Sequence, residues 1–412
     1  MQIIQRDQWR VAPRREKTIN TLNTTSTRLL LLTIAYLGFI SLGFPDPVAG
    51  VAWPSVRDTF SLPQSSFGLV FIALGCGYCA SGFFGGKLTQ LLGLGNLLWI
   101  SSGLVAVAML GSSMAAAWPV FVACAVIWGL GSGGIDAGLN SYVSNHYSAR
   151  HMNWLHACYS IGATLGPLLM TAALVRAGSW RIGYTLVGGV LGLMTLLFLT
   201  TRQRWTAPPQ SAGGGVTPPV SMRAALQVPL VWLQVVLFFL YVGLEFTVGQ
   251  WSFTVLTESR GLSPDLAGLL TGGYYGAIGV GRVLTGVIAH RTGVDPILRL
   301  SMFVAVLGAA LFAFAPAGTG DVALILIGLG LAPVFPCLMS RTPERLGADY
   351  SAHAVGFQVS SGMLGGALVP GLTGLIAEQL GLEFASQFAV VLAALLWIMH
   401  EVLVCATSTR RG

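Results

Sequence analysis

Residues 67–93 read FGLVFIALGCGYCASGFFGGKLTQLLG, and residues 267–293 read AGLLTGGYYGAIGVGRVLTGVIAHRTG. With a shift of 200 residues, Gly68, Leu69, Gly86 and Gly93 fall on Gly268, Leu269, Gly286 and Gly293. The same shift carries Gly162 and Gly166 onto Gly362 and Gly366. The chain therefore contains two similar halves in tandem.

Both copies lie in a chain of 412 residues that is 54% hydrophobic and 9% charged, with a mean hydropathy of +0.73. Apolar runs recur near 29–51, 66–86, 96–114, 118–145, 153–175, 182–201, 228–256, 266–288, 297–315, 321–340, 354–377 and 384–405. Each is about as long as the ~20 residues a helix needs to cross a bilayer. None alternates in polarity as a barrel strand does. The expected fold is an all-α membrane protein, with twelve transmembrane helices in two six-helix bundles. Tandem membrane halves are the plan of many secondary transporters.

The segment from Arg202 to Arg223 holds Pro208-Pro209, Gly213-Gly214-Gly215 and Pro218-Pro219 between the sixth and seventh runs. Such a composition cannot bury apolar area and reads as a linker. The expected organisation is a tail over 1–27, bundles over 28–201 and 226–405, a linker over 202–225 and a short tail over 406–412. No secretory signal is expected in the polar, basic first 27 residues, which read as a disordered cytosolic tail.

The net charge of +7 reports orientation rather than a nucleic-acid partner. With the N-terminus inside, seventeen Lys and Arg fall in cytoplasmic segments and four in external ones. Arg282, inside a span, completes the 22. This positive-inside bias places both termini in the cytoplasm, in a bacterial inner membrane. The six cysteines all lie within spans, so no disulfide framework is expected. Cys76-x-x-Cys79 has no second pair and no histidine at ligand spacing, and reads as small residues in lipid.

Ionisable side chains inside hydrocarbon are costly, and each is a candidate for function. Asp46 follows Pro45 in the first run. Asp136 follows the glycine-rich Gly129–Gly134 in the fourth, with Asn140 one turn further on the same face. Glu245 lies in the seventh run near Tyr241, Gln250 and Trp251. Asp46 and Glu245 differ by 199 residues, and at 1.5 Å per residue both sit about 26 Å along their helices. A carboxyl group that can be neutral when desolvated meets the requirement for a proton carrier. Arg282 either snorkels to the nearer interface or pairs with an acid across the halves. His156 is either a polar helix contact or part of a relay. Spans 4 and 10, each glycine-rich, are expected to bend or slide.

Gly86-Lys87-Leu-Thr-Gln90-Leu-Leu-Gly93 and Gly286-Val-Ile-Ala-His290-Arg291-Thr-Gly293 resemble the loop motif of the major facilitator superfamily, Gly-x-x-x-Asp-Arg-x-Gly. The second copy has His290 for Asp, and the first has lost both charges. The resemblance covers residues 29–405. It implies a monomer with a gate formed by Gly86, Gly93, Gly286, His290, Arg291 and Gly293, with Arg282 nearby. Asp136-x-x-x-Asn140 is similar to the span-4 motif of the fucose–proton symporter type, with Asp in place of Glu and Ser141 in place of Pro. Asp46 is similar to that family's other membrane acid.

The resemblance implies proton-coupled symport of a small, sugar-like solute by alternating access, with Asp136 and Asp46 coupling the proton. Asn140, Glu245, Gln250, Tyr241 and Trp251 are the expected solute contacts. Gly162-Ala-Thr-Leu-Gly166-Pro167 resembles half of the motif of proton-coupled exporters, so efflux of drugs or metabolites is the second expectation. A receptor or scaffold without turnover is the third. Neither Gly-x4-Gly-Lys-Ser/Thr nor His-Glu-x-x-His occurs, so no cofactor, metal or enzymatic activity is expected. The expected partners are the solute, protons and membrane lipid, with no nucleic acid.

Overall fold

The computed structural model describes residues 14–147, 149–205, 222–316 and 318–408. Of the expected tails and linker, residues 1–13, 206–221 and 409–412 lie outside these. All regular elements among the described residues are helical, because only intra-segment hydrogen bonding satisfies a backbone in lipid. Among the described residues, eleven helices are long and apolar enough to cross a membrane. They are α1 (Thr27–Phe60), α2 (Gln64–Leu92), α3 (Leu94–Met114), α4 (Trp118–His146), α5 (Arg150–Ala177), α6 (Trp180–Arg204), α7 (Pro229–Ser259), α9 (Val294–Phe314), α10 (Thr319–Ser340), α11 (His353–Leu380) and α12 (Phe384–Thr407). Between α7 and α9 runs α8 (Pro264–Thr292), of similar length and carrying Arg282. The helix containing α1 begins earlier, at Arg14.

Twelve crossings return the chain to the end where it started, here termed the terminal end; the opposite end is the far end. Large apolar side chains cover the outside, with Phe83 85% and Leu193 69% exposed. In water that would be a liability, whereas in lipid it is the solvated face. Cys76 and Cys79 also lie exposed on α2.

The internal repeat governs the packing. In the first half α1 packs on α5, α2 on α4 and α3 on α6; in the second, α7 packs on α11, α8 on α10 and α9 on α12. The pairings match residue by residue. A methyl group on Gly129 would overlap the Leu74 carbonyl oxygen, and one on Gly328 would overlap that of Tyr274. Gly131 lies against Ser101 and Val105, and Gly330 against Ser301 and Ala305. Without a hydrophobic drive between helices in lipid, such close approach is what holds them together.

The halves meet along α2·α11, α5·α8 and the second part of α1 against α7. These contacts also obey the repeat: Gly68 faces Gly371, and Gly268 faces Thr171. Gly50 abuts Gln250, its own equivalent, which places the pseudo-twofold axis there.

Of the two spans expected to bend, only α10 is interrupted, between Leu331 and Val334. Pro333 and Pro336 remove backbone donors there. α4 is a continuous helix. The interruption in the first half falls instead in α1, at Phe44 between Gly43 and Pro45, where Pro45 and Pro47 leave helical carbonyls without N–H partners.

Candidate functional site

The interruption of α1 puts Asp46 in the first turn of the continuing helix, where the aligned peptide dipoles favour negative charge. Tyr159 of α5 donates to Asp46 Oδ2 at 2.5 Å. On α4, Asp136 accepts from Tyr78 of α2 at 2.6 Å and from Asn140 at 2.8 Å. Both Asp136 oxygens therefore accept. In the second half, Tyr241 donates to Glu245 Oε2, and Tyr274 donates to the Glu245 carbonyl at 2.9 Å. Arg282 of α8 lies 3.7 Å from Glu245 Oε1 and donates to Ser160 of α5 at 3.3 Å. Arg282 therefore stands beside an intramembrane acid, but that acid lies in its own half rather than across the halves as expected; its contact across the halves is Ser160.

These groups form one cluster. Asp46 and Asp136 lie within electrostatic range of each other, as do Tyr159 and Glu245, Tyr275 and Asp46, and His156 and Arg282. His156 also meets the Phe39 ring edge-on at 5.5 Å. Asp46, Asp136, Asn140 and Arg282 are half-buried, while Tyr241 is buried. The site thus draws on α1, α2, α4 and α5 from one half and α7 and α8 from the other.

Gln250 and Trp251 stand towards the far end. Gln250 donates to the Asp46 carbonyl at 2.7 Å, across the halves. Trp251 is buried, donates to the Pro370 carbonyl at 3.0 Å and meets Phe67 edge-on. Gly93 and Gly293 adopt φ of 76° and 81°, a backbone that favours glycine, and turn the chain after α2 and α8. Gly86 and Gly286 are exposed with open space around them. The side chains of His290 and Arg291 lie outside those described.

A second interhalf cluster closes the far end. Arg57 takes Glu258 in a two-oxygen pair at 3.1 and 3.0 Å. Gln64 donates to Glu258 at 3.0 Å and accepts from Trp53 at 2.7 Å, and the Ser65 N–H donates to Glu378 at 3.1 Å. The hydrogen bonds that join the halves through Arg57, Gln64, Ser65, Gln250 and Arg282 lie at Arg282–Ser160 or further towards the far end. The bundle is latched at one end.

Nothing in the sequence singles out Tyr78 or Tyr159, since a hydroxyl in an apolar helix has no periodic signature. The latch does carry a signal. Arg57 and Glu258 are 201 residues apart, so the repeat sets them opposite each other near the axis. An exposed pair of this kind contributes about 1 kcal/mol or less. Arg57→Gln is therefore expected to raise the far-end-open population up to about fivefold. Spin labels at Ser61 and Gly261 read this as growth of a longer distance; an unchanged distance distribution would show that the pair is no latch.

The sequence profile described as Major Facilitator Superfamily matches residues 29–370. The uncharacterized transporter y4wD of Sinorhizobium fredii is 27% identical over 366 residues, covering 85% of this chain and 92% of that one. A bacterial homologue of the human lysosomal transporter Spinster, solved inward-facing and unoccupied, superposes with a TM-score of 0.73 at 14% identity, over 93% of this chain and 98% of that one. The E. coli fucose:proton symporter FucP gives a TM-score of 0.63 at 17% identity, over 91% and 98% of the two chains. The two superpositions show a shared fold, and the profile match spans most of the chain. With twelve helices in repeat-related pairs around an interhalf polar cluster, this multi-pass membrane protein belongs to the Major Facilitator Superfamily of transporters.

Proposed function

We propose that the protein is a proton-coupled symporter of a small, sugar-like organic solute, working by alternating access. The observation that carries the reading is the convergence of Asp46, Asp136 and Glu245 from both halves on one interhalf site. An ionised group at this depth needs partners or water, so changes in access to the site and changes in protonation are linked. Protonation of Asp136 would remove one acceptor and release Tyr78 or Asn140, which are then free for solute. Asn140, Tyr241 and Glu245 are the solute contacts. Gln250 and Trp251 belong to the closing of the far end. The distribution of Lys and Arg supports both termini in the cytoplasm, so the latched far end is the external one.

The fucose:proton symporter FucP shares the fold, which supports the choice of solute and ion. The half-motif that resembles exporters is accounted for by packing: Gly162 and Gly166 lie against the Ile40 and Phe44 carbonyls of α1. It therefore does not favour efflux.

Flux into proteoliposomes tests the reading. Labelled sugars and sugar acids are expected to accumulate when the outside is acidic and to equilibrate without accumulation when the pH gradient is collapsed. Accumulation indifferent to pH removes the proton, and binding without flux makes the protein a receptor.

A further inference from the structure

Arg260, Arg282 and Arg345 in the second half are largely withdrawn from solvent, and the first two are held differently. Arg260 is saturated. Its Nε donates to Glu383 at 3.0 Å, its Nη1 to Asp321 at 2.9 Å, and its Nη2 to the Phe312 carbonyl and to Glu383, each at 2.7 Å. Its guanidinium also lies 4.5 Å over the Phe312 ring.

Arg282, deep in α8, has nothing comparable. Its hydrogen bond to Ser160 is 3.3 Å long, and its carboxylate neighbour Glu245 stands 3.7 Å away, beyond hydrogen-bond length. The Tyr241 hydroxyl beside it donates to Glu245 and offers the guanidinium its oxygen as acceptor. Most of the five guanidinium donors therefore lack a short bond among the described residues. The Arg282 side chain keeps 16% of its surface accessible.

The acids of the cluster are in the opposite position. Asp136 accepts twice, Asp46 accepts from Tyr159, and Glu245 accepts from Tyr241. The unfilled donor capacity of the site is cationic and fork-shaped. A guanidinium fork matches a two-oxygen anion.

We infer that Arg282 anchors an anionic cargo: the solute carries a carboxylate, as a sugar acid does, and that carboxylate sits on the guanidinium fork between α8 and α5. This rests on the transport reading above and narrows it to a solute class. With the neighbouring carboxyl groups protonated, the single guanidinium charge matches a carboxylate and not a doubly charged phosphate. Ser160 and His156, both on α5, border the same guanidinium. A carboxylate there touches both halves at once, on the side of the site away from the far-end latch.

The test uses matched pairs of labelled solutes in proteoliposomes, glucose with glucuronate and galactose with galacturonate, alongside thermal shift of the detergent-solubilised protein. The acid member of each pair is expected to be moved at least about tenfold faster than its neutral partner, the scale of a lost charge-assisted bond. Arg282→Gln is expected to erase that ratio, and Arg282→Lys to recover part of it. Equal handling of acid and neutral sugar by the native protein, or a ratio unaltered in Arg282→Gln, overturns the inference and leaves transport standing. Should Arg282→Gln fail to fold, the native ratio alone decides. Neither flux nor stabilisation with any of the four, with or without a pH gradient, takes down the transport reading as well.

Discussion

Asp136→Asn is expected to abolish proton-driven accumulation while sparing solute exchange. Asparagine has nearly the same shape, and its remaining oxygen can still accept from Tyr78 or Asn140, the two present partners. The α2–α4 contact around it is built from backbone approach at Gly129 and Leu74, which the substitution does not touch. What disappears is a titratable group inside the membrane. A one-proton symporter gains about 1.4 kcal/mol, or roughly tenfold accumulation, per unit of pH gradient. The variant should fall to a ratio of one while still catalysing counterflow of labelled against unlabelled solute. Undiminished uphill uptake would refute the coupling role of Asp136. Loss of uphill uptake in Asp46→Asn alone would move that role to α1, where Tyr159 is the partner.

The second large effect concerns stability. Arg260 sits in the connection between α7 and α8, outside the membrane-spanning segments. It joins the Phe312 carbonyl near the end of α9, Asp321 at the start of α10 and Glu383 before α12. Asp321 is only 3% exposed, and its other partner is the Gly318 N–H at 2.9 Å. Removing the guanidinium strands that carboxylate. Breaking a buried pair from one side costs about 3–5 kcal/mol, so Arg260→Ala should lower the apparent melting temperature far more than Arg57→Gln does at the exposed latch. A loss no larger than that of Arg57→Gln would mean that water reaches Asp321.

The same network gives a pH signature through Glu383. Burial by itself would raise the Glu383 carboxyl, but the hydrogen bond from Arg260, helped by Ser259, holds it below the usual carboxylate range. A carboxyl group whose folded value is depressed contributes stability above its unfolded value of about 4.3, and that contribution fades as pH falls through the folded value. The gap in melting temperature between the native protein and Arg260→Ala should therefore narrow below about pH 4. A gap that stays constant down to pH 3 would assign the effect of Arg260 to packing on Phe312 and not to its carboxylate partners.

The acids at the centre were legible in the sequence because a charge in an apolar run is conspicuous whatever surrounds it. Asp46, Asp136, Glu245 and Arg282 all fall in the interhalf cluster. Their partners were not legible. Tyr159 is 113 residues from Asp46, and Tyr78 is 58 from Asp136. Such pairs depend on which helices touch and how each is rotated about its axis. Trp251 shows the same limit: six positions beyond Glu245, it turns to Pro370 and Phe67. Glycine invited a common reading for α4 and α10, yet only α10 is broken. The proline that removes a backbone donor stands at 333, and α4 has none at the matching place.

The sequence by itself determined the number of crossings, the tandem halves and which residues bear charge within them. Hydropathy and repetition act along the chain and need no partner to be read. The tertiary structure decided that Arg57 closes on Glu258, that two tyrosines hold Asp46 and Asp136, and that Arg282 is left with open donors beside Ser160. Hydrogen bonds form over about 3 Å, and only the packing of helices from both halves brings groups so distant in sequence within that range.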